Sequence, residues 1–470
     1  MKKHLYIAGN WEEASNDHPL VNSYTQKEIE RIPLASAEQV ERSLAAAEAS
    51  FSETKKLSVG ERKDILHDLH TLISHQEKEY AECISLESGK AYQSALGEVK
   101  RALATLELCS EELNTFSERI KIQPKNTSHS VVYGYFPIGP VLGITPFNFP
   151  LNLVMHKLAP ALAVGNPIII KAALDTPGPA MMLARDIGKT AWPKKALSVL
   201  TCKHEQSETL VKDDRIKKLS FTGSAEVGWK LKTLAGKKKV TLELGGNAGV
   251  ILCDDANVHR AAKVLAMGAF GNAGQSCIST QHILVQDSIY ETFLTLFVEE
   301  TNKLMVGDPL EPTIHIGTMI HEKAASKVES WIEEALQAGA SAVLRGKREG
   351  NLLWPTILKN VPHHAKLFQE EVFGPVVHVS SFSKVEKAFD LLNASRYGLS
   401  AAVWTEDEKR KELAFSTLEY GQVIVNDSSS FRDDAAPYGG VKDSGIGREG
   451  PHFAMREMCE IKALVQFRNQ

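Results

Sequence analysis

One thiol, Cys277, stands at the end of the segment Phe270-Gly271-Asn272-Ala273-Gly274-Gln275-Ser276, two glycines among small and polar residues. Glycine carries no Cβ, so such a backbone lets a ligand come close. A cysteine held there suits an attacking thiolate. Free cysteines are also among the residues most often simply buried, so a catalytic role requires a base, an oxyanion donor and a cofactor site elsewhere in the chain. Glu243 ends an apolar stretch and precedes Leu244-Gly245-Gly246, a position from which a carboxylate can deprotonate water, or merely cap a strand. Asn148 lies in Thr145-Pro146-Phe147-Asn148-Phe149-Pro150, where two prolines fix the backbone around an amide that can donate to a developing oxyanion; asparagine is also an ordinary turn residue. The segment 221–228, from Phe221 through Gly223 and Ser224 to Gly228, joins an apolar run to a helical one that begins around Glu226. Its turn suits a phosphate at a helix N-terminus. It completes neither a G-x-G-x-x-G nor a P-loop pattern, so on generic motifs it reads as strand-to-helix punctuation.

The elements that must position these residues follow from periodicity. Ser36 with Gln39, and Ser58 with Glu61, have capping-box spacing and open a helical stretch over 36–116. The second box precedes Ile65, Leu66, Leu69, Leu72 and Ile73, an apolar stripe at helical spacing. Residues 119–136 suggest extended strands around a polar turn at Lys125-Asn126-Thr127. From Val141 onward short apolar strands alternate with helices: 141–144, 167–171, 196–200, 216–221 and 239–243, then 249–253, 282–285, 376–379, 401–404 and 422–425, with 461–467 as one further strand. This rhythm predicts an α/β fold of two doubly wound parallel layers joined near residue 244, with a ligand crevice at the strand C-terminal ends.

The bulk numbers narrow the class. A chain of 470 residues, 43% hydrophobic and 24% charged, has soluble globular composition with room for two to three domains. A net charge of −4 offers no electrostatic footprint for nucleic acid or anionic membrane. The basic run Lys237-Lys238-Lys239 reads as a solvated turn. The cysteines at 83, 109, 202, 253, 277 and 459 form no C-x-x-C pair, so neither a metal site nor a disulfide framework is expected. With no secretory leader pattern and no long apolar window, a cytoplasmic enzyme is the expectation.

In their order, Thr145–Pro150, Lys171, Phe221–Gly228, Leu242–Gly246, Phe270–Cys277 and Glu371-Val372-Phe373-Gly374-Pro375 closely resemble the signature blocks of the NAD(P)-dependent aldehyde dehydrogenase superfamily. The resemblance runs from about Ala35 to the C-terminus, and its most specific elements are Glu-Leu-Gly-Gly at 243–246 and Asn-x-Gly-Gln-x-Cys at 272–277. It implies two Rossmann-like domains plus a small β oligomerisation arm: residues 1–118 and 138–244 for the cofactor, 245–450 for catalysis, and 119–137 with 451–470 for the arm. A homodimer or homotetramer is implied, without a choice between them. The resemblance further implies Cys277 as nucleophile, Asn148 with the Cys277 backbone N–H as oxyanion hole, and Glu243 as base for thioester hydrolysis. Lys171 would bind the adenosine ribose. Gly223 and Ser224 would face the pyrophosphate, bordered by Phe221. Glu371 would grip the nicotinamide ribose with Phe373 beside it, and Thr145 and Phe147 would line the same cleft.

Departures from the family pattern carry information too. Leu174 stands where a glutamate often repels a 2′-phosphate, and Lys203-His204 replaces a glycine-rich turn. NAD is the first expectation, with NADP admitted. Phe147 replaces a frequent tryptophan, and His282 a common arginine. The form Leu151-Asn152-Leu153 followed by His156-Lys157, with the segments 426–434 and 439–449, resembles the branch of lactaldehyde, phosphonoacetaldehyde and non-phosphorylating glyceraldehyde-3-phosphate dehydrogenases. A small hydroxylated or anionic aldehyde is therefore expected. His156, Asn152 (one helical turn earlier on the same face) and Arg432 are the candidates for its polar end. A CoA-acylating dehydrogenase is the enzymatic alternative, disfavoured because CoA transfer has no need of Glu243; a catalytically silent protein on the same fold is the other.

Overall fold

The computed structural model describes residues 4–116, 119–122 and 129–467. The helical opening resolves into Ala37–Thr54, Val59–Ser74, Glu77–Ser88 and Tyr92–Phe116. Both capping boxes form: Ser36 and Ser58 each accept from the N3 backbone, while Gln39 and Glu61 reach back to the cap N–H. Ile65, Leu66, Leu69 and Ile73 are buried as their spacing requires, against the helix Asn152–Val164, every residue of which is buried.

Two sheets organise the molecule. In the first, Leu197–Leu200, Ile168–Lys171, Val141–Ile144, Lys218–Thr222 and Lys239–Glu243 lie side by side in parallel. The short antiparallel strands Leu5–Ile7 and Asn10–Glu12 extend one edge, and Gly445–Ile446 closes the other. In the second, Thr356–Lys359, Val376–Phe382, Thr280–Gln286, Ala248–Leu252, Ser400–Trp404 and Gln422–Val425 run in parallel, with Ser341–Leu344 antiparallel at one edge. Strands buried on both faces read as continuous Val/Ile/Leu runs, which is why most of these were visible in the sequence; Ser341–Leu344, Thr356–Lys359 and Gly445–Ile446 were not among those expected. The two N-terminal strands, polar or short, were not either.

One expectation needs correction. The crevice does not lie at the C-terminal ends of both layers. Lys171, Thr222 and Glu243 end strands of the first sheet, whereas Gly246, Cys277 and Phe373 precede strands of the second. Only the four residues 244–247 separate Glu243 from Ala248, so the chain leaves one sheet and enters the next at the same seam. Across the seam, Gly445–Ile446 returns to pair with Leu242 and Glu243.

The arm is a three-stranded antiparallel sheet in which His129–Pro137 pairs with Cys459–Phe467 along its whole length and with Ile120–Ile122 on the other side. The expected turn at Lys125–Thr127 lies outside the described residues. Among the described residues no helix is long and apolar enough to cross a membrane.

Candidate active site

At the seam lies a cleft of about 310 Å³. Cys277, Glu243, Asn148, Phe147, Gly223, Ser224, Glu371, Phe373, Asn152 and Arg432, spread over 285 positions of sequence, all reach its wall. Four expected residues do not. Phe221 is buried under the turn, where its ring fills the space a side chain at Gly223 would need. Thr145 is buried, its N–H donating to the Lys171 carbonyl at 3.2 Å. Lys171 sits at the adjoining strand end. His156 lies one helical turn deeper than Asn152, behind Arg432.

The nucleophile loop is built by backbone geometry. Asn272 and Ala273 both adopt the left-handed conformation (φ 52°), and Gly274 follows at φ 69°. The loop is pinned by Gln275, whose amide donates to the carbonyls of Asn272 (3.2 Å) and Thr318 (3.1 Å) and accepts from the N–H of Ile320 at 2.8 Å. Left-handed non-glycine residues carry strain that persists only where surroundings over-determine it; the two ends of Gln275 do so here. Cys277 keeps part of its surface open to the cleft. Its Sγ lies 3.4 Å from the Tyr438 hydroxyl. Burial pushes the thiol up to about 12, opposed by the Tyr438 hydrogen bond.

Unsatisfied buried polar atoms gather around this thiol. Asn148 donates one amide hydrogen to the Gln275 carbonyl at 3.0 Å, while its Oδ1 has no partner. Among the described residues both oxygens of Glu243 and Asn152 Oδ1 lack hydrogen-bond partners, whereas the Arg432 guanidinium is ion-paired, with Nε 3.4 Å from Asp434 and a terminal nitrogen 3.5 Å from Glu449. A buried polar group left unpaired costs roughly 1–3 kcal/mol, so such a cluster at one cleft marks a place prepared for a ligand. Burial, reinforced by the charge of Glu449, raises the Glu243 carboxyl well above the ordinary carboxylate range.

On the other side of the cleft, Glu371 accepts from the Gly246 N–H at 3.0 Å, and burial lifts its carboxyl to about 7. A side chain on Gly245 would collide with that carboxylate; the absence of a Cβ is what lets the two segments meet. Phe373 meets Phe147 edge to face, ring centroids 5.9 Å apart. The fit to a dinucleotide rests on these features together. Ser224 stands at the N-cap position of the helix Ala225–Leu234, directly after the Gly223 turn, with no side-chain capping bond. Among the described residues the Lys171 ammonium has no hydrogen-bonding partner, and Glu371 keeps one oxygen free of hydrogen bonds.

The arginine end of the cleft was only half visible in the sequence. Arg101, from the helix Tyr92–Phe116, lines the cleft beside Arg432 and grips Asp434 through two bonds of 2.9 and 2.7 Å. Nothing in its helical spacing distinguishes it from a solvated arginine. The Arg432 guanidinium lies 2.8 Å from His156 Nδ1, and the His156 ring stands between Glu449 (at Nδ1) and Asp434 (at Nε2), 3.1 Å from each. Lys157 donates to Glu449 at 2.9 Å and to Thr222 at 2.7 Å. Burial alone would raise the Glu449 carboxyl, but Lys157, His156 and Arg432 hold it well below the usual range. His156 is thus a brace for Arg432. His282 faces away from the cleft, its ring edge-on to His378 and bonded to Asn247.

A two-sheet α/β scaffold with a thiol, a buried carboxyl and an asparagine amide converging on one seam defines the class as a dinucleotide-dependent oxidoreductase. The chain belongs to the aldehyde dehydrogenase family, whose model matches residues 11–464. It is 39% identical to a 3-sulfolactaldehyde dehydrogenase of Priestia aryabhattai over 98% of this chain and 97% of that protein. The fold matches aldehyde dehydrogenase 21 of Physcomitrella patens, solved with its reaction product succinate (TM-score 0.95, 36% identity, 99% of this chain and 98% of the other). It also matches a glyceraldehyde-3-phosphate dehydrogenase of Methanocaldococcus jannaschii solved with NADP (TM-score 0.92, 35% identity, 97% of this chain and 100% of the other).

Proposed function

We propose that this aldehyde dehydrogenase oxidises a small aldehyde, hydroxylated or carrying an anionic group at its far end, to the carboxylic acid. The observation that carries the reading is the pair Arg101 and Arg432 on the same cleft wall system as Cys277 and Glu243. Two guanidiniums in a partly dry cleft favour a carboxylate, sulfonate or phosphate, which they meet in bidentate geometry. Sulfolactaldehyde, succinate and glyceraldehyde 3-phosphate, the compounds attached to the three similar proteins, are all anions.

In this reading the Cys277 thiolate attacks the aldehyde carbon, and the resulting oxyanion is held by the Asn148 amide and the Cys277 backbone N–H. NAD or NADP, when bound, supplies the hydride acceptor that converts the adduct into a thioester. Lys171, the Gly223–Ser224 turn and Glu371 are the residues that hold the cofactor, with Phe147 and Phe373 closing around it. Glu243 then takes a proton from water, and the hydroxide releases the acid from Cys277. A base in this position supports hydrolysis over transfer to CoA. We assign NADP as acceptable because Leu174 offers no negative charge against a 2′-phosphate; Leu174→Glu is expected to raise the NADP KM at least tenfold while leaving that for NAD within about twofold. A homo-oligomer acting in the cytoplasm completes the proposal.

The test is a panel of small aldehydes, neutral, hydroxylated and anionic, assayed with both cofactors. Loss of one guanidinium–anion pair costs about 2–4 kcal/mol. Arg101→Met is therefore expected to raise KM for the anionic aldehyde some 30-fold or more, with little change for propanal. Equal effects on both classes would overturn the anionic assignment.

A further inference from the structure

Among the described residues the sulfur of Cys277 has one hydrogen-bonding partner, the hydroxyl of Tyr438 at 3.4 Å. That tyrosine is not loosely placed. It is 3% exposed, and its backbone pairs with Glu449 in both directions, donating to the Glu449 carbonyl at 3.1 Å and accepting from the Glu449 N–H at 2.6 Å. The Arg432 guanidinium lies over its ring, 3.7 Å from the centroid. Backbone, ring face and hydroxyl are thus each fixed by a different partner, and the hydroxyl is aimed at the reacting atom.

We propose that Tyr438 is a catalytic residue: its hydroxyl donates a hydrogen bond to the Cys277 thiolate and enlarges the fraction of enzyme ready to attack the aldehyde, an inference that rests on reading Cys277 as the nucleophile.

The direction of the bond follows from proton counting. While the thiol is protonated either group can donate. Once it ionises it has no proton, and only the phenol can. Hydrogen bonds to an ionised acceptor are roughly twice as strong as neutral ones, so the contact favours the ionised sulfur. The phenol stays protonated and able to donate, since burial and the neighbouring thiolate both push its own ionisation well upward. Arg432 over the ring face draws electron density from the phenol and makes it a better donor.

The other groups facing the thiol are Glu371 and Glu243, which oppose its ionisation, and Arg432, which assists it. With burial and two carboxyls on one side of the balance, the tyrosine is the one uncharged donor on the other. For a thiol whose pKa lies far above ambient pH, each unit of lowering multiplies the thiolate about tenfold. The accompanying loss of nucleophilicity, with a Brønsted slope of about 0.4–0.5, takes back only about threefold. The net effect on attack is favourable.

Alkylation of the full-length protein by iodoacetamide across pH, with the labelled peptide mapped by mass, reads the thiolate directly, since the reaction forms a carbon–sulfur bond and expels iodide. Tyr438→Phe keeps the ring under Arg432 and removes the donor. Its Cys277 alkylation midpoint is expected to move up by about one pH unit, with alkylation at pH 8 about threefold slower and the acid limb of kcat/KM shifted in step. Replacing Tyr438 with 3-fluorotyrosine preserves shape and strengthens the donor, so the midpoint moves down; this arm stands even where the phenylalanine variant folds poorly, and a merely structural role would not produce opposite signs. An unchanged midpoint in folded Tyr438→Phe, or in the fluorinated protein, overturns the proposal. Label found elsewhere than Cys277, or aldehyde oxidation retained by Cys277→Ser, overturns the nucleophile reading, and the proposal with it.

Discussion

At the scale of single residues the chemistry turns on charge kept out of water. Glu243 is held with its carboxyl well above the usual range by burial and by Glu449, so at a given pH more of it is protonated than of an ordinary glutamate, and it must ionise before it can accept a proton from water. Thioester hydrolysis is therefore expected to accelerate as pH rises toward the Glu243 pKa. Glu243→Gln should show a stoichiometric burst of reduced cofactor followed by turnover slowed about 10²- to 10⁴-fold, and its deacylation should lose that pH dependence. Single-turnover and steady-state kinetics over pH check both. Glu371 behaves in the same sense: its carboxyl ionises at about 7, and the ionised form is the better acceptor for ribose hydroxyls. The cofactor KM should fall as pH rises through that value, and Glu371→Gln should flatten the profile. Cys277, Glu243, Asn148 and Glu371 were singled out in the sequence through the blocks that resemble the family's, and the fold brings all four to one cleft. Tyr438 and Arg101 were not singled out, since an aromatic before two glycines and an arginine on a long helix have no local mark; their roles exist only through what the fold sets beside them.

At the scale of elements, the loop 271–277 shows how geometry is held against its own strain. A side chain on Gly274 would collide with the Gly374 carbonyl in a left-handed conformation (φ 69°). Gly274→Ala is expected to displace Cys277 and reduce kcat at least 100-fold. Left-handed strain of about 1–2 kcal/mol, with the collision added, should appear as a lowered melting temperature measured by calorimetry, while the circular dichroism of the folded protein stays unchanged. The helix Asn152–Val164 is set comparably: the N–H groups of Leu151 and Asn152 both donate to Glu98, at 2.9 and 3.1 Å, and Glu98 in turn pairs with buried Lys90. That carboxylate satisfies the first turn of a helix with no side-chain cap of its own. Its partner lies 53 positions away, which is why no capping signal stood in front of Asn152, whereas the local boxes at Ser36 and Ser58 were readable.

At the scale of the whole molecule the arm presents an apolar face. Along Cys459–Phe467, Ile461, Val465 and Phe467 share one side of the strand and are 63%, 50% and 75% exposed. A contiguous exposed apolar surface of this kind on a soluble chain is characteristic of a subunit interface. The double substitution Ile461→Asp with Val465→Asp is expected to reduce the mass in solution to that of one 51.7 kDa chain, read by light scattering. An unchanged mass would remove this strand from the interface.

The sequence by itself determined the family, the two parallel layers, the capped helices and the residues whose chemistry is announced by their neighbours. Hydrophobic period, turn residues and short blocks are local properties, and a one-dimensional record carries them. Only the tertiary structure decided which strand ends meet, that His156 braces Arg432 from behind, and that Arg101 joins Arg432 at the cleft wall. The same is true of the opening thiol: its loop could be read from the chain, but its one hydrogen-bonding partner among the described residues lies 161 residues away. Contacts of that separation follow from how the two sheets close on their shared seam, and spacing along the chain does not encode them.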